Sequence, residues 1–319
     1  KKKTESVEET LCSFNGFLCD IVISVYMCAV LVVLPLYNKG YAQIGTEKEN
    51  FFRKTMTYGG KALLPVFILW AVFRLITAIR AKELPGIREL PGRLWRDLSS
   101  TDKFAALYGI AVLLSYLFTN YREEALWGTA SWRMGMWTQL GAVIVYFMIS
   151  RMWQWKSWIP ALILPVSAVV FALGYVNKFC LFPIDTQFVN TSFISTIGNI
   201  NWYCGYLLTI LFEGVYLLWR MEEMTWKKLL LMAYVTIGFA SLATQGSSSG
   251  IVTFAVVMFV LFGMSVRDSR RMEVFWQEMT MFSGACLLTF ILRKANVFSQ
   301  ELVLEEMTDL LTFSKVTIL

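Results

Sequence analysis

The sequence contains no histidine, and only 16% of its 319 residues are charged. The absence of histidine removes the commonest general base and the commonest metal ligand from the candidate chemistry. Soluble domains carry about 25% charged residues, so the low charged fraction argues against a soluble domain. The six cysteines lack the spacing of a zinc site, and no phosphate-binding or dinucleotide-binding glycine loop occurs. The sequence therefore predicts neither a metal nor another cofactor.

Apolar residues make up 56% of the chain, and the mean hydropathy is +0.55. They form nine segments of about 17 to 22 residues, the length that crosses the hydrocarbon core of a bilayer. We therefore predict an all-α, polytopic integral membrane protein with at least nine transmembrane helices. The predicted spans are 17–37, 60–80, 104–120, 135–150, 159–176, 201–219, 229–245, 250–266 and 276–292.

The positions of Lys and Arg predict that the N-terminus lies inside. In that orientation the inner segments carry more Lys and Arg than the outer ones, as cytoplasmic loops generally do. The same enrichment explains the net charge of +6 without a nucleic-acid partner. Residues 1–16 would form a cytoplasmic segment and residues 17–292 the transmembrane domain. Residues 293–319 would be an extracytoplasmic amphipathic tail, which we expect to begin a larger loop.

Two asparagines stand where a polar loop meets an apolar segment, in the sequence Gly198-Asn-Ile-Asn201. A side-chain amide in hydrocarbon must find hydrogen-bond partners, so apolar residues are the usual choice there. Asn199 and Asn201 at the mouth of a span therefore favour a polar site at the membrane surface. The alternative is a helix cap, because Asn is a preferred N-cap residue.

A short turn rich in serine joins two later spans on the same predicted face. It reads Gln245-Gly-Ser-Ser-Ser-Gly250. Its hydroxyls and backbone N–H groups can bind an anion, especially where a helix follows. An ordinary tight turn is an equally good interpretation.

Arg133 lies between Trp132 and Trp137 on the predicted outer face, where arginine is disfavoured. Its planar guanidinium suits bidentate binding of phosphate or pyrophosphate. The alternative is an interfacial arginine that stacks on tryptophan and pairs with Glu123 or Glu124.

These motifs resemble the O-antigen ligase and Wzy-type polysaccharide polymerase superfamily. The resemblance covers most of the chain, from residue 17 to residue 292. It rests on Trp127–Gly135, on Ile194–Tyr203 and on Thr244–Gly250. It implies a GT-C-like membrane glycosyltransferase of the bacterial cytoplasmic membrane, multi-pass, with an extracytoplasmic active face.

The resemblance also implies the reaction and the partners. A glycan would pass from an undecaprenyl-pyrophosphate-linked oligosaccharide to the hydroxyl of an acceptor glycan, among membrane lipids and without a metal. Outer-face arginines would hold the departing pyrophosphate, and Arg133 is the best-placed candidate. The acceptor hydroxyl is a poor nucleophile and would benefit from a base, for which the outer carboxylates Asp185, Glu123 and Glu124 are available. The remaining predicted substrate-binding residues are Arg122, Lys178, Asn199, Asn201, Gln245, Ser247, Ser248 and Arg293.

Two departures from the family pattern matter: the first removes or replaces one expected pyrophosphate ligand, and the second favours a polymerase over a ligase. The third motif often has an arginine after its serine, whereas this chain continues with Ser248 and Ser249. Ligases also use a histidine in a large outer loop, and this chain has none. Attachment of a finished glycan, transport of lipid-linked sugars and a noncatalytic membrane scaffold are the alternative functions.

Overall fold

The computed structural model describes residues 7–38, 44–80, 90–129, 134–179, 181, 195–245 and 247–295, and every regular element in these ranges is helical. The chain divides into two compact units. Unit 1 comprises residues 1–34 and 48–156, and unit 2 comprises residues 35–47 and 157–319.

The first seven helices lie mainly in unit 1. They are α1 (Val7–Cys28), followed by a π-helical turn (Ala29–Val33), α2 (Leu34–Leu36), α3 (Ile44–Arg80), α4 (Leu90–Asp97), α5 (Ser100–Phe118), α6 (Arg122–Trp127) and α7 (Met136–Met152). The π-helical turn ends two residues before Pro35, whose ring clashes with a carbonyl four residues earlier in a regular α-helix. The wider turn accommodates that clash, as single-turn π-bulges do.

Asp102 connects α5 to α7 within unit 1. Ser99 and Asp102 form a reciprocal capping box at the start of α5. The buried carboxylate of Asp102 also accepts hydrogen bonds from Tyr146 Oη at 2.9 Å and from Arg151 Nη2 at 2.7 Å. These bonds give a buried charge the partners that it requires.

Unit 2 contains a bundle of five helices. They are α8 (Trp158–Lys178), α9 (Ile200–Arg220), α10 (Trp226–Thr244), α11 (Ser248–Ser265) and α12 (Ser269–Lys294). Helix α10 packs against α8, α9 and α12, whereas α11 packs against α9 and α12. Glycines allow close contacts: Gly214 lies against Tyr234, and Gly238 lies against Leu211. Small residues at crossings are typical of helices that associate in membranes.

Eight helices among the described residues are long and apolar enough to cross a bilayer. They are Ser13–Leu36, Glu47–Arg80, Ser100–Phe118, Trp158–Lys178, Ile200–Arg220, Trp226–Thr244, Ser248–Ser265 and Ser269–Leu292. These helices confirm the prediction of a polytopic, all-helical membrane protein.

The number of spanning helices differs from the predicted nine. The segment predicted as span 135–150 is helix α7, which has 17 residues. Seventeen residues stand at the lower limit of the lengths that cross a bilayer, and this helix is not among the eight, so eight of the nine predicted spans are confirmed. Of the predicted tail 293–319, residues 293 and 294 belong to helix α12, and residues 296–319 lie outside the described residues.

The alternating directions of the five helices give unit 2 two distinct ends. One end holds the N-termini of α9 and α11 together with the C-termini of α8, α10 and α12. We call this the asparagine end, because it carries Asn199 and Asn201. The opposite end, which we call the basic end, carries most of the unit's cations: Arg220, Lys227, Lys228, Arg267, Arg270 and Arg271.

Candidate functional site

The two polar motifs of unit 2 meet at the asparagine end. Ser247 Oγ donates a hydrogen bond to Asn201 Oδ1 at 3.2 Å, across 46 residues of sequence. The same hydroxyl lies 2.8 Å from Ser249 Oγ. We call Asn201, Ser247 and Ser249 the serine–asparagine cluster. It joins the start of α9 to the start of α11.

The exposed side chain of Asn201 has one end in the cluster and one end available to a ligand. Its Oδ1 accepts the hydrogen bond from Ser247. Its Nδ2 has no hydrogen-bond acceptor among the residues that the structure describes. An amide nitrogen in this position can donate to an oxygen of a bound sugar or phosphate.

Asn199 caps helix α9, as the alternative interpretation of its sequence position proposed. Its Oδ1 accepts hydrogen bonds from the backbone N–H groups of Asn201 at 2.9 Å and Trp202 at 3.4 Å. Two of the four unpaired N–H groups of the first turn are thereby satisfied. The two asparagines thus have different contacts: Asn199 fixes the helix start, and Asn201 reaches the neighbouring helix.

The turn before α9 is held by buried side chains. Ser195 has a φ of 57°, which non-glycine residues rarely adopt, and its N–H donates to Asn177 Oδ1 at 2.7 Å. Ser195 Oγ donates to the carbonyl of Val170 at 2.7 Å. Thr196 Oγ1 donates to the carbonyl of Pro35 at 2.6 Å. These bonds compensate the strained backbone and fix where α9 begins.

Gln245 is fully buried and holds the turn before α11. Its Nε2 donates to the carbonyl of Ser247 at 2.9 Å, and its Oε1 accepts from the N–H of Ser247 at 2.6 Å. Both ends of the amide are thus bonded to the backbone of one residue. The contacts of Gln245 position Ser247, rather than presenting a polar group to the surface.

Close packing beneath the cluster depends on Gly250. A Cβ atom at this position would clash with the Sγ of Cys204 and would lie 2.8 Å from Gln245 Nε2. Cys204 is a buried free thiol. The absence of a side chain at Gly250 therefore lets α11 start directly against α9 and against the glutamine that holds the turn.

The electrostatics of the cluster favour an anion. Helix N-termini carry about half a positive charge each, and those of α9 and α11 converge here. Ser247 is the N-cap residue of α11, yet its hydroxyl does not cap its own helix. It bonds to Asn201 and Ser249 instead, so the first turn of α11 receives no side-chain cap from Ser247.

Three further predicted substrate-binding residues, Ser248, Lys178 and Arg293, lie at the asparagine end outside the hydrogen bonds of the cluster. Ser248 is exposed and takes no part in the hydrogen bonds of the cluster. Lys178 is half-buried at the C-terminus of α8, which lies at the asparagine end. Arg293 lies in the last turn of α12 at the same end, placed here by its backbone.

The predicted catalytic residues and the predicted substrate-binding Arg122 lie in unit 1 or outside the described residues. Arg122 and Glu123 are exposed on the short helix α6, which belongs to unit 1. Arg133 and Asp185 lie outside the described residues. Their predicted roles therefore remain predictions.

Unit 1 contains a cavity of 350 Å³ between α5, α6 and α7. Its polar lining includes Glu124, Gln139 and Ser115. The amide of Gln139 is already engaged, because Tyr108 Oη donates to its Oε1 at 2.6 Å and its Nε2 donates to the Met134 carbonyl at 2.7 Å. The volume lies in the range of ligand pockets, and Glu124 is its one carboxylate.

Sequence reasoning missed Ser249, Asn177 and Ser195. Ser249 stands in the predicted turn, but nothing in the sequence distinguishes it from Ser248. Asn177 and Ser195 act through long-range contacts whose partners are 18 and 25 residues away. Asn177 follows directly after the predicted span 159–176, and a polar residue at that boundary was the available signal.

The described residues contain no group of three or more His, Cys, Asp or Glu side chains arranged to hold a metal ion. No protein-family model matches the sequence, and no curated protein or solved structure is significantly similar to it. The argument for function therefore depends on the site itself.

Proposed function

We propose that the protein transfers a glycan from an undecaprenyl-pyrophosphate carrier to an acceptor sugar hydroxyl, and thereby polymerises the repeats of a surface polysaccharide. The reaction would take place on the extracytoplasmic face of a bacterial cytoplasmic membrane. The observation that carries the proposal is the hydrogen bond between Ser247 and Asn201. It brings together two motifs on which the family resemblance rests.

The chemistry of the cluster matches what such a reaction requires. The glycosidic bond to the carrier breaks as the acceptor oxygen attacks, and negative charge accumulates on the departing pyrophosphate. Preorganised positive groups stabilise that charge where it develops. Two helix N-termini supply partial positive charges, and the Asn201 amide and the serine hydroxyls supply donors for phosphate or sugar oxygens.

The orientation of unit 2 supports an external site. Cytoplasmic ends of membrane helices collect Lys and Arg, and the basic end of unit 2 carries Arg220, Arg267 and Arg270. The asparagine end would then face away from the cytoplasm. Lipid-linked repeats are extended on that side of the membrane.

The described parts of α8 to α12 place no carboxylate at the asparagine end, because Glu213, Glu273 and Glu278 lie far along their helices. The proposed mechanism within these helices therefore depends on stabilisation of the leaving group. We assign deprotonation of the acceptor hydroxyl to one of the carboxylates of the predicted outer face, Asp185, Glu123 or Glu124.

Deletion of the gene in its host tests this proposal. Extracted glycans would be separated by gel electrophoresis into lipid-linked and finished material. Accumulation of a single lipid-linked repeat is the expected result. Long polymer that remains on its carrier would identify a ligase instead. An unchanged glycan profile, in a host without a second copy, would contradict glycan transfer.

A further inference from the structure

Glu278 is a fully buried carboxyl group within α12, distant from the serine–asparagine cluster along the chain. It lies in the candidate membrane span Ser269–Leu292, and its side chain is 0% exposed. Trp219 donates its indole N–H to Glu278 Oε1 at 2.6 Å. The second oxygen, Oε2, has no hydrogen-bond partner among the described residues.

Helix α10 supplies no counter-ion to this carboxyl. Lys228 donates its Nζ to the carbonyl of Met221 at 3.4 Å. The ammonium of Lys227 lies over the ring of Trp226. The remaining ionisable group of α10 is Tyr234, whose hydroxyl bonds to the carbonyl of Ile210 and to Ser167. Helix α11 (Ser248–Ser265) contains no ionisable side chain at all.

Helix α9 has one cation, Arg220, whose guanidinium lies over the ring of Tyr216. Glu213 is its one acid and interacts electrostatically with Tyr234. Its other ionisable groups are the uncharged side chains of Tyr203, Cys204, Tyr206 and Tyr216.

Within α12 itself the described charges have other partners. Arg270 pairs with Glu222, and Arg271 pairs with Asp268 at 3.2 Å. Lys294 lies over the ring of Phe290. Glu273 accepts a hydrogen bond from Gln277, and Cys286 is a free thiol. The ion pairs within 4.0 Å among the described residues include none with Glu278.

We infer that Glu278 is an intramembrane proton-binding site, occupied by a proton at neutral pH. An ionised carboxylate without a counter-ion is strongly disfavoured in a protein interior, so the group takes up a proton from water and becomes neutral. Oε1 already accepts the indole hydrogen bond, so the proton belongs on Oε2. The inference depends on packing around α12 and is independent of the proposed glycan transfer.

Infrared spectroscopy of the full-length protein in lipid tests the protonation state directly. The difference spectrum between the wild type and Glu278→Gln at pH 7 should contain the carbonyl band of a protonated carboxylic acid. Glu222→Gln is the matched control, because Glu222 is exposed and paired with Arg270. Its difference spectrum should lack the band of a protonated acid. Carboxylate bands for Glu278 would overturn the inference.

A carbodiimide experiment on the wild-type protein keeps the inference testable if Glu278→Gln fails to fold. The protonated acid transfers its proton to a carbodiimide nitrogen, its oxygen bonds to the central carbon, and the adduct rearranges to a stable N-acylurea. Dicyclohexylcarbodiimide, which partitions into lipid, should label Glu278, as located by mass spectrometry. Labelling should fall about tenfold per pH unit above the titration midpoint. Labelling that does not fall as the pH rises would overturn the inference.

Discussion

Ser247 Oγ donates a hydrogen bond to Asn201 Oδ1 at 3.2 Å and thereby links the first turns of α9 and α11. Each residue is held by separate contacts: Gln245 fixes the backbone of Ser247, and Asn199 caps the helix that carries Asn201. Both partners of this hydrogen bond are therefore held in place by contacts of their own. A polar pair positioned in this way at a helix end is preorganised for a ligand.

The variants Asn201→Ala and Ser247→Ala should reduce glycan transfer, because each removes a donor or its support at the cluster. If the two residues act as a unit, the double variant should lose little more activity than the more damaging single variant. The measurement is polymer yield at equal protein level. Thr253→Ala is the control, because that hydroxyl bonds only within its own helix, to the carbonyl of Ser249. Independent, additive losses would contradict the coupling.

Replacement of Asn199 should change the thermal stability of the protein, because this side chain caps helix α9. Asn199→Ala removes the N-cap of α9, which typically lowers the free energy of unfolding by about 1 kcal/mol. Asn199→Ser supplies another capping oxygen and should retain most of that stability. Thermal unfolding in detergent distinguishes the two variants. Equal melting temperatures for both would show that the cap contributes nothing measurable.

Gly250→Ala should destabilise unit 2, because its Cβ would clash with Cys204 and approach Gln245. Overpacking of this kind costs about 1 to 3 kcal/mol. Gly263→Ala on the same helix is the matched control, since nothing lies within 4 Å of its added Cβ. The second substitution Cys204→Ala should restore part of the lost melting temperature. A Gly250→Ala protein as stable as Gly263→Ala would contradict the described packing.

Asp102→Ala should destabilise unit 1 more than Arg151→Ala. Removal of Asp102 breaks the capping box and leaves Tyr146 and Arg151 without their acceptor, so the melting temperature of Asp102→Ala should fall by more than that of Arg151→Ala. The Arg151 side chain is 41% exposed, and without it Asp102 keeps its bonds from Ser99 and Tyr146. The melting temperatures of the two variants provide the comparison. A larger effect of Arg151→Ala would show that the ion pair dominates.

The orientation of unit 2 can be measured by cysteine labelling in intact cells. In a background without reactive native cysteines, Ser248→Cys should react with a membrane-impermeant maleimide from outside. Met224→Cys, exposed at the basic end, should react only after permeabilisation. The opposite pattern would place the serine–asparagine cluster in the cytoplasm.

The sequence predicted most spanning helices, because the thickness of the bilayer requires long apolar segments. The ninth predicted span, 135–150, corresponds to α7, whose 17 residues stand at the lower limit of spanning length, and it stays a prediction. The sequence also predicted that the Asn199–Asn201 element and the Gln245–Ser248 turn lie on one face, and the structure brings them together. The pairing of Ser247 with Asn201 depends on how α9 and α11 are rotated against each other, which composition does not specify.

Glu278 illustrates what hydropathy alone overlooks. It lies in the predicted span 276–292, where an ionisable residue is a functional hypothesis by default. The inference that Glu278 binds a proton depends on two features of the three-dimensional structure. The side chain is completely buried, and no described counter-ion lies beside it. Asn199 illustrates the opposite case, since its capping role follows from local sequence and was among the alternatives.

Reconstitution tests the central claim most directly. Purified protein would be placed in liposomes with undecaprenyl-pyrophosphate-linked repeats, and the products would be separated on a gel. The account predicts a ladder of longer lipid-linked glycans with the wild type and with Thr253→Ala, and a strongly reduced ladder with Asn201→Ala. An undiminished ladder with Asn201→Ala would contradict the role of the cluster. No elongation by a folded wild-type protein would contradict the proposed polymerase function.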